Sequence, residues 1–421
     1  MGAHSPAVAG PAVELRRWTP WWWAVIGTGA GLAGILLGLA FAVFIPRGPV
    51  AEYRYHLWRW QADTLLGTAF SLAGIGGEPD DQAGDSALIE YFRLTSQVRA
   101  ALEAEEPDLA LIQTLENERA TYENDVERTI ERRITEAVED AGLQRALPIF
   151  SGVEITWPPV NFELTSPPRL LVRSPRDRIE RLGDTLLRND LSLSEIVRIE
   201  EKTDSPRVVS LVISIGGLAA YPAIVRDDRT YWSVTETAAH EWVHHYLAFF
   251  PVGEQWGNGG DAETLNETTA ELAGRELANM IHERYPQTFA EGEDGRAPER
   301  PAAEIDFSKE MRELRLAVDA LLADGKVTEA EALMEEKREY LGENGISIRK
   351  INQAYFAFYG TYADSPQSSN PIGPKVNQVW ELTGDVGAFL AVMRDVTSVE
   401  DLDRALAVLE RQHEDGPTHA K

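Results

Sequence analysis

The chain has 421 residues, enough for one large domain or two ordinary ones, and its 43% hydrophobic and 26% charged content is that of a globular protein. A formal net charge of -28 argues against nucleic acid and against an anionic lipid surface as ligand. The chain has no cysteine, so disulfides and thiolate metal sites are excluded and any metal must use His and carboxylate ligands.

Residues Met1 to Pro20 read as a flexible, Pro-bearing tail. Trp21 to Ile45 follows without a charge, and about 20 such residues cross a bilayer. Trp18, Trp21, Trp22 and Trp23 cluster at one end, where interfacial aromatics sit. Ala30, Gly34, Gly38 and Ala42 make a small-residue stripe that permits self-association, so a homo-oligomer through this helix is allowed. The reading adopted is a single-pass membrane anchor over residues 21–45. Its rival is a cleavable signal peptide, with Ala40-Phe41-Ala42 as the cleavage site. The short tail and large acidic body place the body outside the cytoplasm, although Arg16 and Arg17 compete with Arg47, Arg54 and Arg59 in setting the orientation.

Residues 52–147 read as a helical region, hairpin-like or coiled-coil-like. Glu52 to Ile75 is amphipathic, Gly76 to Gly84 is a loop, and Ser86 to Glu103 and Asp108 to Asp140 are helices broken at Pro107. In the last of these, Ile112, Leu115, Tyr122, Val126, Ile130 and Ile134 keep a three-or-four spacing, and the Glu- and Arg-rich faces read as solvated. Residues 148–412 follow as a second domain, with a loose tail from 413 to 421. Val153 to Trp157 and Arg169 to Arg173 read as strands, and Ile179 to Leu187 and Ser194 to Glu201 as helical segments. Val208 to Val225 is uncharged but interrupted by Gly216, Gly217 and Pro222, so it reads as a buried strand rather than a second span. Helices are then expected over Thr230 to Phe250, Glu263 to Tyr285, Asp306 to Leu322, Thr328 to Tyr340, Ile346 to Ala363, Val376 to Met393 and Val399 to Gln412. The fold class is mostly α with a small β-sheet, that is, α+β.

Chemistry concentrates in the helix from Thr230. His240, Glu241 and His244 form H-E-x-x-H, which puts two imidazoles one turn apart on one face and Glu241 about 100° further round. The chain has only 8 histidines, and the motif's flanks are apolar. A catalytic zinc takes three protein ligands and keeps one position open. The next long helix carries Asn266-Glu267-Thr268-Thr269-Ala270-Glu271, where Glu267 is the candidate third ligand. Glu271, one turn on, is the candidate partner for a ligand histidine's other ring N–H. Glu263, one turn before Glu267, is the competing ligand. His245 faces away from His240 and suits a hydrogen-bonding role, and His282 suits a structural one.

H-E-x-x-H followed by N-E-x-x-A-E resembles the gluzincin clan of zinc metallopeptidases, the thermolysin-type arrangement, over Ser233 to Arg275. The resemblance implies a zincin-like domain with His240, His244 and Glu267 as zinc ligands, Glu241 as general base and Glu271 behind the ligands. The region with Asn352 and Tyr355 to Tyr362 is also loosely similar to bacterial proteins designated aminopeptidases. Gly216-Gly217-Leu218-Ala219-Ala220 stands where the clan's aminopeptidases often have G-x-M-E-N, and it lacks the carboxylate, so endo- versus exopeptidase action stays open.

The expected function is a membrane-anchored, zinc-dependent peptidase acting on a peptide or protein substrate. Zn2+ would acidify a bound water towards a pKa of about 7, and Glu241 would take its proton and pass it to the leaving amine. Tyr355 and Tyr359 are the candidate oxyanion donors, with Tyr362 and Tyr246 behind them. The alternative is a membrane-anchored helical scaffold whose metal is structural.

Overall fold

A computed structural model describes residues 50–72, 81–146, 154–256, 261–286, 305–361 and 371–414. They are mostly helical, with three small sheets, the α+β class expected. The expected anchor at 21–45, residues 287–304, Tyr362 and nearly all of the C-terminal tail lie outside the described residues. Among the described residues no helix is long and apolar enough to cross a membrane.

The first part of the chain forms α1 (Leu57–Leu72), α2 (Asp81–Leu102), α3 (Leu109–Arg119) and α4 (Glu123–Asp140). The single helix expected over Asp108 to Asp140 is therefore two. At the break Arg119 turns inward, and its guanidinium donates to the Asp227 carbonyl at 2.9 Å and to Asp227 Oδ2 at 2.7 Å. The apolar stripe of α4, Val126, Ile130 and Ile134, is buried together with Leu88, Tyr91 and Phe92 of α2. These residues share one core with the motif helix, so α2 and α4 are part of the same packed body rather than a hairpin standing by itself. Residues 145–155 fall in a separate compact unit, where β1 (Arg145–Ala146) pairs antiparallel with β2 (Glu154–Ile155).

The faces of α4 expected to be solvated are only partly so. Arg133 is 1% exposed and donates to the Tyr231 hydroxyl at 2.8 Å while pairing with Asp85. Glu127 and Glu131, one turn apart, accept the backbone N–H groups of Leu164 (2.6 Å) and Phe162 (3.0 Å). Those N–H groups belong to β3 (Phe162–Leu164), the edge of a sheet ordered β3-β8-β7, with β7 (Gly217–Leu218) and β8 (Ala223–Val225). β3 runs parallel to β8, and β7 antiparallel to it. The carboxylates thus close the β3 edge against further pairing. Among the described residues β7 has a strand on one side only.

A second sheet, ordered β5-β4-β6, contains β4 (Arg169–Pro175), β5 (Asp184–Leu187) and β6 (Val208–Ser214). β4 and β6 pair over seven residues, from Arg169↔Ser214 to Pro175↔Val208. Leu211 and Ile213 face one core, with Met311, Val318 and Phe356, while Val212 faces another, with Val50, Tyr53 and Ile199. Burial of both faces explains why this strand carries no charge and reads as continuously apolar. The helix expected over Ile179 to Leu187 is a correction: Asp184 to Leu187 pairs with β4 after Gly183, whose φ of 99° reverses the chain where other residues would be strained.

The remaining helices are α5 (Leu193–Thr203), α6 (Tyr231–Leu247), α7 (Pro251–Glu254), α8 (Asp261–Arg284), α9 (Phe307–Ala323), α10 (Val327–Glu343), α11 (Gln353–Tyr359), α12 (Ile372–Thr383), α13 (Val386–Met393) and α14 (Val399–Glu414). The aromatic helix expected over Ile346 to Ala363 begins late, because the Asn352 side chain caps it by accepting Tyr355 N at 3.0 Å. The preceding residues stay irregular and carry Arg349 and Lys350 to the buried Glu200. The helix expected over Val376 to Met393 is cut at Gly384, in the left-handed region at φ 73°, and restarts with Asp385 capping Ala388 N.

Burial pushes the Glu131 carboxyl up from 4.5 to about 8, against the opposing hydrogen bond from Phe162. The folded chain therefore keeps this proton over a range where the unfolded chain has released it, and stability falls as pH rises from about 4.5 to about 8. Glu131→Gln retains an acceptor for Phe162 N and loses the charge. Denaturant midpoints should match the wild type below about pH 4.5 and exceed it at about pH 8; an unchanged pH slope would remove Glu131 from this role.

Candidate metal centre

The motif helix α6 starts where Thr230 caps Ser233 N, and it contains neither Gly nor Pro through its 17 residues. Ala239, Val243, Tyr246 and Leu247 are buried in the main core, with Phe250 packed against it, as the sequence pattern leads one to expect. Trp242, 1% exposed, donates to the Pro158 carbonyl at 2.9 Å. With its back face anchored, α6 presents His240, Glu241 and His244 on its other faces.

Helix α8 lies against α6 at unusually short range because of Gly274. A Cβ there would stand 2.7 Å from both the Cα and the backbone N of His240. A glycine inside a helix costs about 1 kcal/mol relative to alanine, and here the close approach is what it allows. The approach brings Glu267 into the group. His240 Nε2 lies 3.0 Å from His244 Nε2, and Glu267 Oε2 lies 3.8 Å from the first and 3.4 Å from the second. Zinc bonds of about 2.0–2.1 Å at tetrahedral angles separate donor atoms by about 3.3–3.4 Å. The three observed separations straddle that value.

Hydrogen bonds on the far side of each ring decide what these atoms offer. His244 Nδ1 is 2.7 Å from Asn266 Oδ1, and His240 is hydrogen-bonded to the Ala270 backbone. Both acceptors are oxygens, so each ring donates from its far nitrogen, and a cation that displaced the proton held between His244 and Glu267 would meet a lone pair on each near nitrogen. Three electron-pair donors facing one point, in a buried setting, fit a divalent cation. Burial, and next the neighbouring His244, push His240 down to about 3. Burial also opposes charge on His244, but the Glu267 carboxylate outweighs it and lifts His244 to about 9. Burial alone would raise Glu267, yet His244 above all holds it down at about 2, with help from Arg181.

Glu241 is 6% exposed, and burial pushes its carboxyl up to about 8. It faces Gly217 of β7 so closely that a Cβ there would overlap Glu241 Oε1. The Gly216 to Ala220 stretch therefore borders the site. Glu263 is held by Arg181 at 2.5 Å, and Arg181 also pairs with Asp184 and lies over the Phe358 ring at 5.2 Å. Glu271 follows one turn after Glu267 on α8; Asn266 meets His244 and the Ala270 backbone meets His240.

Tyr355 and Tyr359 pack on each other with ring centroids 4.6 Å apart, in the core built on β4 and β6 rather than the one that carries the ligands. Tyr246 stacks on Trp242 at 5.6 Å, and its hydroxyl meets Arg394 at 3.3 Å. His282 stacks on Trp232 at 3.9 Å, a packing role. His245 donates to the Ala220 carbonyl. Sequence reasoning missed Asn266, Arg181 and Gly274. Only Asn266 had a signal, its place in N-E-x-x-A-E.

Asn266→Ala removes the partner that aims His244 but no ligand. If the three side chains hold zinc, the affinity of the full-length chain for it is expected to fall about 10- to 100-fold with the fold retained. Unchanged affinity by competition titration would mean Asn266 does not orient the ring.

No protein-family model, curated protein or solved structure matches this chain, so the functional reading stands on the motif residues and their geometry.

Proposed function

We propose that the chain is a membrane-anchored, zinc-dependent peptidase. His240, His244 and Glu267 would hold the metal, and residues 21–45 would form a single-pass anchor with the body outside the cytoplasm. The observation that carries the reading is one arrangement. A buried carboxyl, Glu241, lies beside three convergent metal donors and against a strand with an open edge.

When bound, zinc would supply a Lewis acid that polarises a carbonyl and makes a water acidic near neutral pH. Glu241 would take the proton of the attacking water and return it to the leaving amine. Burial suits it to both tasks, because it brings the carboxyl's affinity for a proton close to neutrality. β7 would present its free backbone groups to an extended peptide, fixing the scissile bond over Glu241. Gly217 suits that position because it lets the strand lie directly on the carboxyl. The opposite edge of the same sheet is closed by Glu127 and Glu131, which leaves β7 as the edge where pairing can occur.

The scaffold alternative needs α2 and α4 to offer their apolar faces to partners. Leu88, Tyr91, Phe92, Val126, Ile130 and Ile134 of those helices are buried in the core shared with α6, while Ile89, Leu102, Leu109 and Leu111 of the same region stay exposed.

In the full-length chain, Glu241→Gln is expected to keep stoichiometric zinc and to lose about 100- to 10,000-fold in peptide hydrolysis. A chelator should abolish the wild-type activity. Full activity in the zinc-loaded Gln variant would sink the mechanism.

A further inference from the structure

Thr237, Glu241 and His245 stand at successive turns of α6 and form one row along it. The chain from Gly217 to Ala220 lies on that row. A Cβ at Gly217 would meet Thr237 Cγ2 at 2.9 Å as well as overlapping Glu241 Oε1. Three residues on, the Ala220 carbonyl accepts a 2.6 Å hydrogen bond from His245 Nε2. The His245 ring is met by Tyr221 at 5.4 Å, edge to face, and the Tyr221 hydroxyl donates to the Pro159 carbonyl at 3.2 Å. The histidine that follows the H-E-x-x-H motif therefore points away from the metal donors and into the strand that borders Glu241.

We infer that His245 is a positioning residue that ties the end of β7 to the motif helix and so sets how an extended peptide docks over Glu241. The inference rests on the peptidase reading and adds a substrate class to it. β7 has two residues, paired to β8 at Gly217↔Val225 and Leu218↔Ile224. So short a ladder holds a strand weakly by itself. The hydrogen bond from His245 to Ala220, two residues beyond the strand, anchors the chain leaving β7 to the same helix that carries Glu241, so the edge and the carboxyl keep a fixed separation. Substrates that bind as extended main chain depend on this tie. A short blocked amide, which spans only the reacting bond, does not.

The test uses the full-length, zinc-loaded chain with His245→Phe, which keeps a ring against Tyr221 without a donor, and His245→Gln, which keeps a donor. Zinc content, amide hydrogen exchange over residues 216–220, and kinetics on an extended peptide and on a short blocked dipeptide amide are measured. In His245→Phe, zinc stays bound, protection over 216–220 is lost, and KM for the extended peptide rises about tenfold while kcat changes less than about twofold. The short amide is cleaved as by wild type, and His245→Gln recovers the lower KM. Wild-type exchange and KM in His245→Phe would overturn the inference. So would loss of zinc, or an equal fall in kcat for both substrates. If the wild type cleaves neither substrate, the peptidase reading fails, and exchange over 216–220 alone decides whether His245 ties the strand. Should His245→Phe not fold, His245→Leu takes its place under the same criteria.

Discussion

Everything proposed for this chain depends on how closely two helices approach. The motif helix and the helix after it meet at Gly274, where the absence of a side chain lets the backbone of His240 come within contact of α8. A methyl group there would force α8 and α6 to shift against each other, and with them Glu267 relative to the two imidazoles. Helix α8 supplies Glu267 and also both far-side partners of the histidines, Asn266 and the Ala270 backbone. Position, aim and charge of the site are therefore set by one interface.

The interface is costly by itself. Two imidazoles and a carboxylate are drawn from water into a space with few other polar neighbours, and buried polar groups destabilise unless they find partners. Asn266 and the Ala270 backbone meet the far sides of the two rings, and Glu267 meets His244 on its near side. The near nitrogens face each other at 3.0 Å, a separation that one proton or one cation must mediate. A divalent ion satisfies all three donors together, and binding to the folded chain alone would add directly to its stability. The surrounding packing is consistent with this demand: Trp242, Tyr246 and Arg133 fix α6 from behind, so the donors cannot relax apart cheaply.

Much of the site was legible in the sequence because its periodicity is local. His240 and His244 share a helix face by spacing alone, and Glu267 follows in a second recognisable pattern. What stayed hidden depends on how elements turn relative to one another. Asn266 meets His244 because of the rotation of α8, which spacing does not reveal. Glu127, Glu131 and Arg133 have the composition of a solvated helix face, yet they turn to a strand edge and a buried hydroxyl that lie far along the chain. The rings of Tyr355 and Tyr359 pack on each other within the core built on β4 and β6, a contact between distant segments that spacing does not reveal. Helix boundaries were misread where a single backbone device acted: Asn352 as a cap, Gly183 and Gly384 as left-handed turns.

The central claim is that His240, His244 and Glu267 form one metal centre. X-ray absorption at the zinc edge, on the full-length chain loaded with one equivalent of zinc, tests it most directly. The account predicts a four-coordinate spectrum with two imidazole scatterers and oxygen, at distances of about 2.0–2.1 Å, and loss of one imidazole in His240→Ala. A spectrum without imidazole scattering, or one unchanged in His240→Ala, would contradict it.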